Sequence, residues 1–220
     1  MSPLGAAAKA KQAKDALEPR NATEDAILEA ARQALAEGSY DELRMEGIAR
    51  RAFVSRTTVY FYFPNKRAVV DRLIQTVFAD MYAAGAPYLE GTGEPRLELR
   101  LALSRVIARV NANATVLLLA AHLSGREDRL PPEWEPHIRR FVLAATARIR
   151  RDQARGIAPA DIPAHISASA LCAMVERHVS LEIIRRGGSA DETIRVLSEL
   201  WWRAVYFRPD GRVSGAPSAE

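Results

Sequence analysis

The residues best suited to chemistry with a ligand form a short series of cations, hydroxyls and aromatic rings. Residues 54–66 read V-S-R-T-T-V-Y-F-Y-F-P-N-K. Arginine can donate two hydrogen bonds to guanine and a threonine methyl group can touch thymine, so Arg56 and Thr57 suit the base edges of duplex DNA. Lys66 follows Asn65, a helix-capping residue, and an ammonium beside free N–H groups at a helix N-terminus forms a phosphate site. The series therefore predicts a nucleic-acid contact.

Charge is distributed unevenly around this series. The chain of 220 residues has a formal net charge of only +4. Between Gly47 and Val70, however, it has no acidic residue and five basic ones: Arg50, Arg51, Arg56, Lys66 and Arg67. A local electropositive patch in a balanced chain favours a polyanionic partner. Any one of these residues is explained as well by a packed core or a solvated face, but their ordered combination is not.

The aromatic run in this series reads as a strand by propensity but is predicted to be a helix. Thr57–Phe63 is β-branched or aromatic throughout. A lone strand here would have no partner for its backbone, and the sequence has no hairpin signal. Ser55 provides a helix cap, and Pro64 disfavours helical geometry in the residue before it. These signals predict a helix over 55–62.

This helix and the one before it form a predicted helix-turn-helix. The first spans about 45–52, the second spans 55–62, and the turn lies at Phe53. Val59 and Phe63 are four residues apart, so they share one face and are predicted to pack inward. In such a motif the N-terminus of the second helix meets base edges in the major groove of DNA.

The rest of the chain predicts helices only. Apolar residues recur at helical spacing over about 23–38, 65–84, 97–111, 116–123, 133–155, 163–186 and 190–207, with a break between Gly85 and Pro95. The predicted fold class is all-α, with about nine helices. An N-terminal three-helix helix-turn-helix domain spans 22–68, and a larger helical effector-binding and dimerisation domain spans 69–207. Residues 1–21 are predicted to be a disordered arm and residues 208–220 a loose tail.

Enzyme and metal chemistry find no support in the sequence. The four histidines, His122, His137, His165 and His178, lack metal-ligand spacing, and Cys172 has no companion. No glycine-rich phosphate loop and no G-x-S-x-G motif is present. We therefore predict no catalysis, no cofactor and no metal. The single cysteine, the absence of an apolar leader and a longest apolar run, Val116–Leu123, that includes His122 and is too short to span a bilayer favour a cytoplasmic protein without a membrane partner.

One stretch carries a resemblance to a known family. I-A-R-R-A-F-V-S-R-T-T-V-Y-F-Y-F-P-N-K-R-A-V-V resembles the DNA-binding domain of TetR-family transcriptional regulators, whose pattern is close to I-A-x-x-A-G-V-S-x-x-T-L-Y-x-Y-F-x-S-K-x-x-L. The similarity covers about residues 23–70. Two positions depart from the pattern. Phe53 replaces the turn glycine, which implies strain of about 1 kcal/mol or a different turn. Arg44-Met45 replaces the usual Ser or Thr cap of the second helix.

The resemblance assigns roles to residues of the helix-turn-helix. It implies contacts with DNA, largely with its backbone, from Thr58, Tyr60, Tyr62 and Lys66. It implies base reading by Arg56 and Thr57. The full predicted DNA-binding set is Arg44, Ser55, Arg56, Thr57, Thr58, Tyr60, Phe61, Tyr62 and Lys66.

The larger domain is predicted to hold an effector pocket, although its apolar residues alone are explained equally well as core. The stretch Y-F-Y-F-P-N-K and, more weakly, Pro-Ala-His at 163–165, Glu176-Arg177, Trp201 and Tyr206 resemble the EthR-like branch of the family. This resemblance implies a hydrophobic tunnel at matching positions. The predicted pocket residues are Leu99, Val106, Val110, Trp134, Ile138, Phe141, Ala145, Cys172, Val175 and Trp201. Aliphatic side chains at many of them imply an uncharged, mostly apolar effector.

A homodimer is predicted from the last two helices, which are apolar on two faces. One face serves the subunit, and the other implies a two-fold partner, which suits a palindromic operator. The predicted interface residues are Val179, Ile183, Val196 and Leu200.

Two clusters of charged residues are predicted to lie on the surface of the larger domain. One is a solvated face formed by Arg140, Arg148, Arg151 and Arg155. The other is a helix-surface or interface cluster formed by Glu176-Arg177-His178.

These observations predict a TetR-like transcriptional regulator. It is expected to be a repressor that binds a palindromic operator as a homodimer and is released by a small apolar effector. Two alternatives remain open. One is an all-α dimeric module for protein interaction, and the other is a DNA-binding protein that responds to no ligand.

Overall fold

The computed structural model describes residues 22–123 and 134–207, over which the chain is helical and has no strand. The elements are α1 (Ala22–Glu37), α2 (Met45–Arg51), α3 (Arg56–Tyr62), α4 (Lys66–Glu90), α5 (Pro95–Ala112), α6 (Ala114–Leu123), α7 (Glu135–Ala154), α8 (Ala164–His178), a π-helical segment (Val179–Arg185) and α9 (Ala190–Tyr206). The predicted all-α fold is confirmed. The predicted arm over 1–21, the tail over 208–220 and the start at residue 133 of the helix predicted over 133–155 lie outside the described residues.

The chain divides into two compact units between Thr76 and Val77, a division that falls within α4. The first unit contains the helix-turn-helix. Its core consists of aliphatic side chains from α1 to α4, all fully or almost fully buried: Ile27, Leu28, Ala31, Leu35, Ile48, Val59, Val69, Val70 and Leu73. Burial of this shared core holds the short helices in place, because helices of seven residues are marginal on their own.

Helix α3 forms despite its strand-like composition. The Ser55 hydroxyl accepts a hydrogen bond of 2.9 Å from the Thr58 N–H, which caps the helix. Val59 and Phe63 are buried, as the sequence predicts. Phe63 adopts an extended backbone with φ −137° before Pro64, which ends the helix.

The second unit is a bundle in which α7 packs on α8 and α5 packs on α9. Helix α4 continues through Gly85 and Pro87 to Glu90, so its predicted end at residue 84 is too early, and the predicted break is confined to residues 91–94. Proline within a helix costs about 3 kcal/mol. Burial of Tyr88 and Leu89 offsets this cost.

Arginines of α7 complete the end of α4. Arg148 Nη1 donates to the Tyr88 carbonyl at 2.7 Å, and Arg151 Nη2 donates to the Leu89 carbonyl at 2.6 Å. The last carbonyls of a helix have no partner within it, and these guanidinium groups satisfy two of them.

The arginines of α7 are therefore only in part the predicted solvated face, because Arg140 and Arg155 are exposed but Arg151 is half-buried. Arg148 is fully buried and pairs with Asp152 and Glu98. Arg155 Nη1 donates to the Thr92 carbonyl at 2.8 Å. The guanidinium carbon of Arg140 lies 3.6 Å from the centre of the Tyr82 ring. Helical periodicity shows which residues share a face but not which partner covers that face, and this is why the prediction is wrong for Arg148.

The helix predicted over 163–186 changes geometry at residue 179. Helix α8 ends at His178, and Val179–Arg185 continues as a π-helix. Val179 and Ile183, predicted at the dimer interface, are buried within the single chain, where the π-helical segment packs on α5 and α6. They are not available to a partner in this conformation, so that part of the interface prediction is corrected.

Within the described residues, no single helix is both long and apolar enough to cross a membrane. The helices α5 and α6 reach the required length and composition only as a pair, and they are bent by 68° relative to each other.

Candidate DNA interface and effector pocket

The exposed face of α3 begins at its N-terminus. Arg56, Thr57, Tyr60 and Phe61 are all exposed. These are the residues that sequence analysis assigned to the DNA-facing side, and the capped start of α3 brings them together. Arg56 and Thr57 occupy the first turn, whose N–H groups have no acceptor within the helix itself.

Arg56 is held beside Tyr60, one turn further along the helix. Its guanidinium carbon lies 5.5 Å from the centre of the Tyr60 ring. A hydrogen bond between the two side chains raises the pKa of Arg56 above its usual value. The contact with Tyr60 therefore restricts the orientation of the guanidinium.

The remaining predicted residues of α3 are partly engaged within the protein. The hydroxyls of Ser55 and Thr58 lie 2.7 Å apart in the cap. The half-buried Tyr62 packs edge-on against Phe61, with ring centres 5.3 Å apart. Ser55 and Thr58 thus fix where α3 begins, and Tyr62 fixes the orientation of Phe61.

Two predicted phosphate contacts also bond to the protein. Lys66 Nζ donates to the Tyr40 carbonyl at 2.8 Å and lies 4.3 Å from the centre of the Tyr40 ring. An ammonium has three N–H donors, so two remain for another acceptor. Arg44 folds back to donate to the carbonyls of Asp41 and Leu43. It precedes α2 without forming a side-chain cap, as the departure from the family pattern suggested.

The turn between α2 and α3 keeps the left-handed backbone that glycine would favour. Phe53 has φ 55°, and it is the only described residue other than glycine with a positive φ. The Val54 N–H donates to the Ala49 carbonyl at 3.0 Å, which closes the end of α2. The conformation costs about 1 kcal/mol with a side chain present. The sequence left open either a strained left-handed turn at Phe53 or a different turn, and the structure has the strained left-handed turn.

The second unit contains an apolar cavity of about 130 Å³. Nine of the ten predicted pocket residues line it: Leu99, Val106, Val110, Trp134, Ile138, Phe141, Cys172, Val175 and Trp201. The tenth, Ala145, does not. Ala145 is fully buried in the helix packing of α7 instead, so that prediction is corrected.

Sequence reasoning missed one wall of the cavity, which α4 provides. Phe78, Met81, Gly85 and Tyr88 line it at spacings of three or four residues. This spacing is present in the sequence. It was not recognised as one face of a single helix because the helix was predicted to end at residue 84. The π-helical segment provides a further wall, formed by Val179, Ser180 and Ile184. Val179 was predicted at the dimer interface instead.

The cavity wall has few polar groups. Glu176 borders it rather than belonging only to a surface cluster, and burial raises the pKa of its carboxyl group. Burial also raises the pKa of the Cys172 thiol to about 12. Trp134 is buried, and its indole Nε1 has no hydrogen-bond partner among the described residues. A buried donor without an acceptor costs about 1–3 kcal/mol.

A buried hydrogen-bond chain starts at Trp201 and Tyr88, which also line the cavity. Trp201 Nε1 donates to the Tyr88 hydroxyl at 3.1 Å, and the Tyr88 and Tyr206 hydroxyls lie 3.1 Å apart. Tyr206 donates to Asp152 at 2.9 Å, and Asp152 pairs with Arg148. The chain therefore links two cavity-lining rings to the buried ion pair.

Comparison with known proteins identifies both units. Residues 27–73 match the family model of bacterial regulatory proteins of the tetR family, and residues 99–207 match that of the C-terminal domain of the transcriptional regulator EthR. The chain belongs to the TetR family of transcriptional regulators. This TetR-family chain is thus a DNA-binding regulator of transcription with a helix-turn-helix, and the resemblance seen in its sequence is confirmed.

Individual relatives of this TetR-family regulator are distant but cover most of it. It is 24% identical over 186 residues to the HTH-type transcriptional regulator EthR of Mycolicibacterium smegmatis, covering 83% of this chain and 86% of that protein. It is 25% identical over 185 residues to EthR of Mycobacterium tuberculosis, covering 82% and 86%.

Solved structures share the fold. A TetR-family transcriptional regulator from Mesorhizobium loti superposes with a TM-score of 0.67 and 21% identity, covering 86% of this chain and all of that one. GusR of Salmonella enterica superposes with a TM-score of 0.65 and 21% identity, covering 86% and 98%.

Proposed function

We propose that this regulator is a repressor that binds a palindromic operator as a homodimer and is released by a small apolar effector. The observation that carries the proposal is the exposed row of Arg56, Thr57, Tyr60 and Phe61 on the capped helix α3. This row lies within a segment that has no acidic residue between Gly47 and Val70. The DNA-binding part corresponds to residues 22–68, and residues 69–207 receive the effector and the second subunit.

Each DNA contact has a distinct role in this proposal. Arg56 donates to guanine, and the Thr57 methyl group contacts thymine, so these two residues specify sequence. Lys66 uses the two donors left free by Tyr40 to bind a phosphate, which positions α3 without reading bases. Because phosphate binding releases counterions, affinity falls as salt rises.

The homodimer is supported by apolar side chains that the single chain leaves uncovered. Ile166 on α8 is 69% exposed, Leu200 on α9 is 47% exposed, and Phe207 follows α9 at 52%. Val196, one turn before Leu200, is half-buried. Exposed apolar residues on the last helices are typical of a subunit interface. A two-fold dimer would present two α3 helices to half-sites about 34–36 Å apart, or a multiple of that distance.

The effector is proposed to be uncharged and mostly apolar, with one hydrogen-bond acceptor. The cavity is close in size to an engineered apolar cavity of about 150 Å³ that binds benzene. An acceptor on the ligand would pair with Trp134 Nε1, which has no partner in the described protein. The Glu176 carboxyl at the edge of the cavity would disfavour an anionic ligand.

Release is proposed to act through α4. This helix carries Lys66 at its first turn and Phe78, Met81 and Gly85 at the cavity. A ligand that pushes on these three residues would move the same helix that binds phosphate, and it would alter the spacing of two recognition helices. The ligand can shift the equilibrium only by its preference for the released form over the DNA-binding form.

One experiment tests operator binding, the two-fold dimer and release by an effector together. Wild-type protein selects duplexes from a random library, and binding is then measured by anisotropy at rising salt, with and without a panel of neutral lipophilic compounds. We expect saturable binding to an inverted repeat, and loss of binding with a compound that raises the melting temperature of the free protein. Trp201→Ala should blunt the response and leave unliganded binding nearly intact.

The alternatives give different results in the same experiment. Enrichment of no duplex would contradict the operator proposal and favour a protein-interaction module. Specific binding that no compound changes, together with no thermal shift, would leave a ligand-independent DNA-binding protein. A reporter gene placed behind the selected duplex then separates repression from activation.

A further inference from the structure

Phe53 combines two unfavourable features in the folded chain. Its backbone is left-handed, with φ 55°, and its side chain is 95% exposed to solvent. Glycine would adopt this conformation without steric cost. Within residues 22–123 and 134–207, no ring or cation contact involves Phe53, so the folded chain gains nothing visible from its ring. Strained residues of this kind cluster at binding sites, where a ligand makes use of them.

The position of Phe53 indicates what that ligand is. It lies two residues before Ser55, the cap of α3, and three before Arg56. Consecutive Cα atoms are about 3.8 Å apart, so the Cα atoms of Phe53 and Arg56 are at most about 11 Å apart. The exposed Arg50 precedes it, and the acid-free segment surrounds it. An apolar ring in an electropositive surface is complementary to DNA, which presents apolar sugar edges and thymine methyl groups between its phosphates.

We propose that Phe53 is a DNA-contacting residue, whose ring packs on a deoxyribose or a thymine methyl group beside the bases read by α3. This inference rests on the proposed operator binding, and it adds a contact where the family pattern has glycine. Phe61, 82% exposed on α3, is a second ring on the same motif. The ring of Phe53 carries no charge, so its contribution does not depend on counterion release.

Three substitutions separate the ring from the backbone. Phe53→Gly removes both the ring and the strain. Phe53→Ala removes the ring but keeps a side chain in the left-handed turn, and Phe53→Tyr keeps an aromatic ring. The probe is a duplex of about 30 base pairs selected from a random library by the wild-type chain, long enough for two half-sites. Affinity is measured by anisotropy at fixed salt, and stability by thermal unfolding without DNA.

We expect stability and affinity to move in opposite directions. Phe53→Gly should raise the unfolding midpoint by about 2–4 °C while weakening binding about tenfold. Phe53→Ala should weaken binding equally without raising the midpoint as much, and Phe53→Tyr should bind within about twofold of wild type. The slope of log affinity against log salt should not change in any variant. Leu143→Ala, at a residue 54% exposed on α7, is the matched control and should leave affinity unchanged.

The outcomes distinguish failure of the Phe53 contact from failure of the proposed operator binding. If wild type selects a duplex and Phe53→Gly binds it within about twofold, the ring makes no useful contact and the proposal is overturned. A lower midpoint for Phe53→Gly would also overturn it, because the ring would then stabilise the fold itself. If wild type selects no duplex, the operator proposal fails first and the contact fails with it.

Discussion

Arg148 and Asp152 are one turn apart on α7 and form a salt bridge of 2.6 Å in which both side chains are fully buried. Burial by itself lowers the pKa of Arg148, but hydrogen bonds to Asp152 and Glu98 outweigh it and raise the pKa above its usual value. Arg148 also donates to the carbonyls of Tyr88 and Gly93. One guanidinium therefore joins three helices and the loop after α4.

Removing one partner of this pair should destabilise the second unit strongly. Arg148→Met removes the fully buried partner of Asp152, which keeps only the longer contact of 3.4 Å with Arg155, and it removes a donor from the Tyr88 and Gly93 carbonyls. We expect a loss of about 3–5 kcal/mol in the free energy of unfolding, measured by urea denaturation. The control is Arg186→Met, which breaks an exposed pair with Glu182 and should cost less than about 1 kcal/mol. Equal losses in the two variants would contradict the role assigned to Arg148.

Stability should fall at alkaline pH because of two buried tyrosines. Burial raises the pKa of Tyr88 to about 12, and burial together with Tyr88 and Asp152 raises that of Tyr206. The unfolded chain ionises its tyrosines near pH 10 while the folded chain keeps these two neutral. Their contribution is therefore complete below pH 10 and is lost as pH rises from 10 towards 12, by about 1.4 kcal/mol per pH unit for each group.

Chemical denaturation at several pH values measures this slope. Tyr88→Phe should make the slope between pH 10 and 12 shallower, whatever its effect at neutral pH. Tyr60→Phe, at an exposed residue of the first unit, should leave the slope as in wild type. A slope that Tyr88→Phe does not change would show that Tyr88 ionises freely in the folded chain.

Arg56 and Lys66 should differ in what their loss does to DNA binding. Arg56→Ala should relax base preference and weaken the selected duplex about tenfold or more, with little effect on a scrambled duplex. Lys66→Ala should weaken both duplexes alike and flatten the salt slope by about one unit. Anisotropy titrations of both duplexes at several salt concentrations measure the two effects. An unchanged salt slope for Lys66→Ala would mean that Lys66 binds the Tyr40 carbonyl within the protein but does not bind a phosphate.

A charge on the uncovered face of α9 should break the dimer. Leu200→Glu places a carboxylate where a subunit interface is proposed, and an unpaired charge in an apolar interface is costly. We expect light scattering at micromolar concentration to fall from twice the 24.3 kDa chain mass to the mass of one chain. Leu143→Glu, on α7, should remain dimeric. A wild type that is already monomeric would rule out the interface.

Cys172 offers a chemical test of the cavity. Because its thiol pKa is raised to about 12, little thiolate exists at pH 8. Ellman's reagent should modify it on the order of a hundredfold or more slowly than it modifies the unfolded chain. A compound that occupies the cavity should slow modification further, since Cys172 lines the wall. Rapid modification that no compound slows would contradict a position of the thiol in the cavity wall.

The helix-turn-helix could be predicted from the sequence because its signals are local. The Ser55 cap, the proline after Phe63 and the four-residue spacing of Val59 and Phe63 lie within ten residues of one another. They outweigh a strand propensity that has no partner strand to satisfy it. The departure at Phe53 was visible for the same reason, since a left-handed turn is a property of one residue.

The second unit was predicted less completely. Nine cavity residues were found by resemblance, but the α4 wall was missed because Gly85 and Pro87 read as a helix break. Bonds from Arg148 and Arg151, about sixty residues away in sequence, help to hold that end of the helix. The interface residues Val179 and Ile183 fell on an apolar face, and only packing shows that the subunit covers that face itself.

The sequence by itself determined the all-α class, the capped recognition helix and its basic, acid-free surroundings, because caps, helical periodicity and proline act on neighbouring residues. Only the tertiary structure decided that Arg148 is buried, that α4 continues to Glu90 and that the chain turns π-helical at Val179. The partners of Arg148 are the reason. Glu98 lies 50 residues before it, and Tyr206, which bonds to Asp152, lies 54 residues after that aspartate. A charge can be buried only where groups distant in sequence lie close enough to pair with it, and a local sequence pattern does not show which distant groups these are.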